Sequence, residues 1–218
     1  MVGNQEGGLD QIRSYIAEVQ KTLDNLPLDL IEQVIVTLEE ARLANHTVFI
    51  MGNGGSAATA SHFSCDLAKN TRRDGWPNFR VMGLTDNMPV FSALANDDGY
   101  ENVFSRQLES FVQPGDVVIG ISTSGNSPNV VRAIQRAKQA KAITIGFTGF
   151  DHGQLGSLVD IDLHVPNCSI EQVEDIHLML EHLITKSLRD RALSSSSMDA
   201  AVPVLSKMVF KQQVSELE

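Results

Sequence analysis

Two stretches of this 218-residue chain carry side chains of the types and spacing that move protons. His62 and Asp66 stand four residues apart in a helical pattern, so they share one face, and a carboxylate beside an imidazole suits general acid–base work. A surface His–Asp pair or a core histidine has the same spacing. Glu174, His177, Glu181 and His182 fall in a second helical stretch. Glu174, His177 and Glu181 share a face, whereas His182 is turned about 80° away from Glu174 at 100° per residue. Spacing alone leaves open which histidine points into a site. Asn96-Asp97, after a helix-like run, reads by pattern as a turn.

Two further stretches have the chemistry of anion binding. Gly52-Asn53-Gly54-Gly55-Ser56 follows the apolar run Thr47–Met51 and precedes a helical pattern. Glycines permit positive φ and close approach, and the helix N-terminus adds partial positive charge. The stretch is neither a Walker loop nor Gly-x-Gly-x-x-Gly, since Ala57 stands at the third glycine, so no nucleotide cofactor is indicated. The second stretch is Ser122-Thr123-Ser124-Gly125-Asn126-Ser127-Pro128. Pro128 fits the first helical position and Ser127 the N-cap. Ser122, Thr123, Ser124 and Ser127 put four hydroxyls around that terminus, more than capping needs, and with free N–H groups they form a neutral phosphate cradle.

The elements that must position these groups alternate. Apolar spacing predicts a helix over 9–23, a break at Leu26-Pro27, and a second helix over 30–41; this pair can pack across a sheet or on a partner subunit. Strands are predicted over 47–51, 79–84, 117–121, 142–147 and 161–166, the last alternating like an edge strand. Helices are predicted over 58–69, 88–94, 103–111, 129–140, 155–158 and 170–188. Such alternation specifies an α/β fold, a parallel sheet with helices on both faces, and ligands in such folds bind at the carboxyl ends of the strands. Both special loops, 52–56 and 122–127, fall there. Residues 1–8 are expected to fray, and the tail from Met198 is mildly amphipathic.

Composition narrows the function classes. The net charge of −10 argues against general binding of nucleic acid or anionic membrane, while leaving room for a phosphorylated ligand held locally. No apolar run approaches a membrane span, and the first residues do not read as a signal peptide. Cys65 and Cys168 lack metal-type spacing and are expected to be free, buried thiols in a reducing cytoplasm.

The combination of Gly52-Asn53-Gly54-Gly55-Ser56, His62-Phe63, Asn96-Asp97, Gly120–Ser127 and Asp175-Ile176-His177 with His182 five residues on resembles the sugar isomerase (SIS) domain. Within it the chain looks most like the phosphoheptose isomerase branch, over about residues 9–188. The resemblance implies a three-layer α-β-α sandwich with a five-stranded parallel sheet and an N-terminal helical pair. It divides the chain into a single domain over 1–190, with the pair in 1–45 and the core in 46–190, and a tail over 191–218. It implies a cytoplasmic homotetramer with active sites at subunit interfaces. The implied activity is interconversion of sedoheptulose 7-phosphate and D-glycero-D-manno-heptose 7-phosphate, a step toward lipopolysaccharide heptose. Ser122, Thr123, Ser124 and Ser127 would hold the phosphate; Asn53, Gly54, Gly55, Ser56, Asn96, Asp97 and Glu174 would bind the sugar. Asp66 and His182 would be catalytic, and His62, Asp66, Glu174 and His182 would supply ligands where zinc is bound.

The chain departs from that pattern at three places. Asp66 stands where the family has glutamate, withdrawing the carboxylate by about 1.5 Å, one carbon–carbon bond. Glu174 replaces a glutamine and adds negative charge beside Asp66. Ala68-Lys69-Asn70 replaces Thr-Gly-Arg, leaving a basic substrate contact to Lys69, to Arg72 or to neither. The same branch contains DiaA-like proteins, non-catalytic tetrameric partners of the replication initiator, and a sugar-phosphate-binding module without turnover is a further alternative. Retention of an acid at 66 with both His62 and His182 favours the enzyme.

Overall fold

Val117–Ser122 (β3) is fully buried and continuous, as a central parallel strand must be when helices cover both its faces. Around it, in the computed structural model of the chain, which describes residues 4–194, five parallel strands run in the order β2-β1-β3-β4-β5. The others are β1 (Thr47–Gly52), β2 (Arg80–Gly83), β4 (Ile143–Thr148) and β5 (Ile161–His164). The predicted strand at 161–166 is an edge strand, as its alternation suggests, and stops at His164 ahead of Pro166.

Side chains alternate between two cores. Val48 and Ile50 of β1 and Val117, Ile119 and Ile121 of β3 face α2 (Leu28–Leu43), α3 (Gly55–Lys69) and α8 (Ile170–Ser194). Phe49, Met51 and Val118 face the opposite layer, α5 (Val103–Phe111), α6 (Pro128–Gln139) and α7 (Gly153–Leu158). The result is the expected three-layer sandwich. The two N-terminal helices pack differently. α2 buries Ile31, Val34, Ile35 and Leu38 on the sheet layer, whereas α1 (Asn4–Leu23) leaves Leu9, Ile12, Tyr15 and Ile16 exposed. α1 is held to α8 by polar contacts, among them Tyr15 Oη to Asp175 Oδ2 at 3.0 Å.

Four expectations change. Helix α1 begins at Asn4, so residues 4–8 are helical despite Gly7 and Gly8. Asn96 and Asp97 lie in the last turn of α4 (Met88–Asp97) and not in a turn; the chain reverses at Gly99, whose φ of 89° is the left-handed conformation glycine tolerates. Cys65 and Cys168 are free but exposed, because α3 turns Ala60, Phe63 and Leu67 inward and Cys65 outward, and Cys168 sits in the irregular segment between β5 and α8. Helix α8 runs past the expected end at 188 to Ser194, and the tail from Met198 lies outside the described residues.

The strand order reverses between β1 and β3: α3 carries the chain to one side of β1, and later strands add on the other. That switch point opens a crevice at the strands' carboxyl ends. The register sets Gly52 opposite Ile121, so the two special loops emerge side by side.

Candidate active site

The serine loop is held open by its surroundings. Ser127 takes the N-cap of α6 without a side-chain cap bond; its Oγ accepts instead from Ser122 Oγ at 3.1 Å. In the first turn of α6, Pro128 has no N–H and those of Val130 and Val131 go to Asn129 Oδ1 and the Ser127 carbonyl, each at 3.0 Å, so capacity for an anion rests on the Asn129 N–H. Gly125 adopts φ 63°, and a Cβ there would overlap the His152 carbonyl. The segment after β4 latches the loop through Gly149 N to Thr123 O at 3.0 Å, Leu155 N to Gly125 O at 2.9 Å and Gln154 N to Asn126 Oδ1 at 3.1 Å. Phe150 in that segment is itself left-handed at φ 52°, a cost for an aromatic residue that persists because its neighbours hold it.

Ser122, Thr123, Ser124 and Ser127 line a cavity of about 190 Å³ together with Asn53, Ser56, Phe150, Ile170 and Glu174. Asn53 joins the two loops by a reciprocal pair with the buried Asn129: Nδ2 to Oδ1 at 2.8 Å one way and 2.9 Å the other. Tyr100 Oη donates to Asn53 Oδ1 at 2.8 Å. Gly54, the α3 N-cap at φ 55°, is exposed. Gly55 is needed for a different reason, since a Cβ there would overlap the Glu174 carboxyl group. A carboxyl group of the protein itself therefore lies against the start of α3. Asn96 and Asp97 are exposed, bonded to each other at 2.7 Å, and lie outside this cavity's lining.

Farther along α3 and α8 the titratable groups converge. His62, Asp66, Glu181 and His182 each offer a ligand atom within 4.8 Å of the others. His62 Nε2 is 3.8 Å from Asp66 Oδ1, 3.9 Å from Glu181 Oε1 and 3.4 Å from His182 Nε2; His182 Nε2 is 3.2 Å from Glu181 Oε1. Asp66 is buried, and Asn70 Nδ2 donates to its Oδ1 at 2.7 Å, which anchors the carboxyl group. Glu181 is fully buried and neither of its oxygens has a hydrogen-bond partner. Burial, then the neighbouring Asp66 charge, push its carboxyl up to about 8.

The structure thus brings together three of the four residues expected as metal ligands, His62, Asp66 and His182. Glu174 is set apart, lining the serine-loop cavity about 10 Å of helix rise from Glu181. Glu181 takes its place in the cluster. It was visible in the sequence as an acid beside His182, but its burial was not. Asn129 was missed for the same reason. His177 is a core histidine: its Nε2 lies 3.1 Å from the Thr148 carbonyl and burial lowers it to about 4, so it is neutral. Lys69 and Arg72 are exposed at and just after the end of α3.

The profile of the SIS domain family matches residues 10–149. The chain belongs to the SIS domain family. Among its curated relatives, a phosphoheptose isomerase of Aliarcobacter butzleri is 39% identical over 82% of this chain and 92% of its own. That of Trichlorobacter lovleyi is 38% identical over 80% and 88%. The solved structure of the Neisseria gonorrhoeae phosphoheptose isomerase superposes with a TM-score of 0.77 at 26% identity, over 84% of this SIS chain and 98% of that one.

Proposed function

We propose that this SIS-domain protein is an aldose–ketose isomerase that interconverts sedoheptulose 7-phosphate and D-glycero-D-manno-heptose 7-phosphate. The observation that carries the reading is the pairing of a hydroxyl-rich cradle with a proton-transfer cluster along one helix. Glu174 beside the cradle and His182 in the cluster are separated by about 12 Å of helix rise, the scale of an extended seven-carbon sugar phosphate. The cradle takes the phosphate through Ser122, Thr123, Ser124, Ser127 and the α6 N-terminus. Asn53, Gly54, Gly55, Ser56 and Glu174 lie along the path of the sugar, and the assignment of Asn96 and Asp97 to it rests on the family resemblance alone. Asp66 moves the proton between C1 and C2 through an enediol, and His182 carries the proton on the carbonyl and hydroxyl oxygens. The donor set in the cluster, two imidazoles and two carboxylates, suits zinc. When bound, zinc would polarise the substrate's carbonyl oxygen.

The exposed apolar stripe Leu9, Ile12 and Ile16 supports a homotetramer, since each of these side chains is more than half exposed in the single chain. Residues 1–190 are read as one unit. No described helix is long and apolar enough to cross a membrane. The free thiols fit a reducing cytoplasm. The test is purified protein with sedoheptulose 7-phosphate, following the aldose product with and without zinc. Turnover supports the isomerase. Thermal stabilisation by sugar phosphate without turnover replaces it with a binding module, and the absence of both leaves the DiaA-like alternative.

A further inference from the structure

Asn53 lines the serine-loop cavity, and the sense of its amide is decided by residues outside that lining. An amide oxygen only accepts and an amide nitrogen only donates, so a partner of fixed character tells the two apart. The fixed partner here is a backbone N–H. Val130 N donates to Asn129 Oδ1 at 3.0 Å, which pins the buried Asn129 side chain. The reciprocal pair with Asn53 then has a single sense: Asn53 Nδ2 donates to Asn129 Oδ1, and Asn129 Nδ2 donates to Asn53 Oδ1. Turning both amides over would keep the pair but set Asn129 Nδ2 against the Val130 N–H, two donors face to face. Because Asn53 Oδ1 is an acceptor, the Tyr100 hydroxyl donates to it, at 2.8 Å. The Asn53 oxygen is therefore used twice, and one of the two N–H groups on its nitrogen is spent on Asn129. The second N–H is what the amide has left for the cavity.

Tyr100 is itself held from α6. Its ring meets Phe91 edge to face, with centroids 5.8 Å apart. Its short turn, Tyr100–Asn102, is fastened by Arg132 Nη1, which donates to Asn102 Oδ1 at 2.9 Å. Arg132 stands three residues after Asn129 on the same helix. We propose that Asn129 and Tyr100 are positioning residues that lock the Asn53 amide as a donor toward the cavity, so that Asn53 donates to an oxygen of the sugar phosphate. Asn129 then joins two tasks: its backbone N–H serves the anion, and its side chain orients the amide beside it. An amide free to turn over would spend part of its time with its oxygen inward, opposed to the ligand's own oxygen. The lock removes that state before the ligand arrives. The proposal rests on the sugar-phosphate reading of the cavity but not on turnover.

The experiment is a double-mutant cycle on ligand binding. The Kd of sedoheptulose 7-phosphate is measured by calorimetry for wild type, Tyr100→Phe, Asn53→Ala and the double variant, with kcat and KM alongside. Tyr100→Phe keeps the ring against Phe91 and removes only the hydroxyl; Tyr100 is half exposed, so Tm should not move. This variant should raise Kd and KM about 3–10-fold, the worth of one neutral hydrogen bond, with kcat little changed. Asn53→Ala should raise Kd at least about 10-fold, as loss of a donor to a charged oxygen does. In the Asn53→Ala background, Tyr100→Phe should change Kd by less than about twofold, because no amide is left to orient. Unchanged Kd in Tyr100→Phe would overturn the proposal, and so would an equal effect in both backgrounds, the result for a hydroxyl that touches the ligand directly. Binding with a coupled cycle but no turnover would overturn the isomerase reading and leave the lock standing, whereas turnover with an additive cycle would do the reverse. No binding of sedoheptulose 7-phosphate by wild type would overturn both.

Discussion

The serine loop and the titratable cluster are built in opposite ways. The loop is short-range: one strand end, one Pro-started helix and a latch from the segment just after the next strand. The cluster is long-range, drawing His62 and Asp66 from α3 and Glu181 and His182 from α8, more than a hundred residues later. The loop is neutral and made of hydroxyls and N–H groups; the cluster is ionisable and partly buried. A loop of that kind carries no titrating side chain, whereas the cluster depends on how two helices are docked. On the proposed roles, one region would hold the substrate and the other act on it, and substitutions should separate the two.

The sharpest separation is expected from Asp66→Asn. It should lower kcat by about 10²–10⁴-fold, the usual worth of a positioned base, with KM nearly unchanged, as measured by steady-state kinetics. A comparable rise in KM would merge the two regions. Acid should act on the cluster's support next. His177 is ordinary, near 6.5, in the unfolded chain and about 4 when folded, so between those values the unfolded state binds the extra proton. Stability is therefore retained above pH 6.5 and falls as pH drops toward 4, by about 3 kcal/mol, to be read from urea unfolding at a series of pH values. Because His177 fastens α8 to the Thr148 carbonyl, hydrogen exchange should rise in α8 before the serine loop.

Smaller effects belong to the loop. Gly125→Ala meets both the positive φ and the His152 carbonyl, and should cost roughly 1–3 kcal/mol of stability, seen as a lower Tm, with a raised KM and little change in kcat. Ser124→Ala removes one of four hydroxyls and should raise KM about 3–10-fold, the worth of one neutral hydrogen bond, leaving kcat alone. A fall in kcat from either variant would show that the loop does more than hold.

The same contrast explains what could be read from the chain alone. The serine loop and its helix were legible because Pro128, Gly125 and the hydroxyls lie within seven residues and act on their own backbone. The alternation of strands and helices, the helices on both faces of the sheet and the SIS resemblance followed from apolar runs and local motifs. Glu181 and Asn129 were not legible because their meaning is burial, and burial is set by partners far away in sequence. Glu174 shows the limit from the other side: helical spacing places it on a face with Glu181, but two turns of rise separate the tasks. Asn96 and Asp97 read as a turn because the pattern cannot tell the last turn of a helix from the reversal that Gly99 makes.

The Glu174 carboxyl lying against Gly55 settles a question of direction. A sugar phosphate is a rod with one charged end, and the crevice offers it two helix N-termini, those of α3 and α6. One is already taken by an acid belonging to the chain. On the proposed roles, a phosphate arriving there would meet repulsion, so the α6 end would accept it and the rod would enter one way round. The carbonyl end would then point along α8 toward Asp66 and His182. A single side chain, by filling a position the substrate could have used, makes the crevice polar in the geometric sense and gives the ligand a head and a tail.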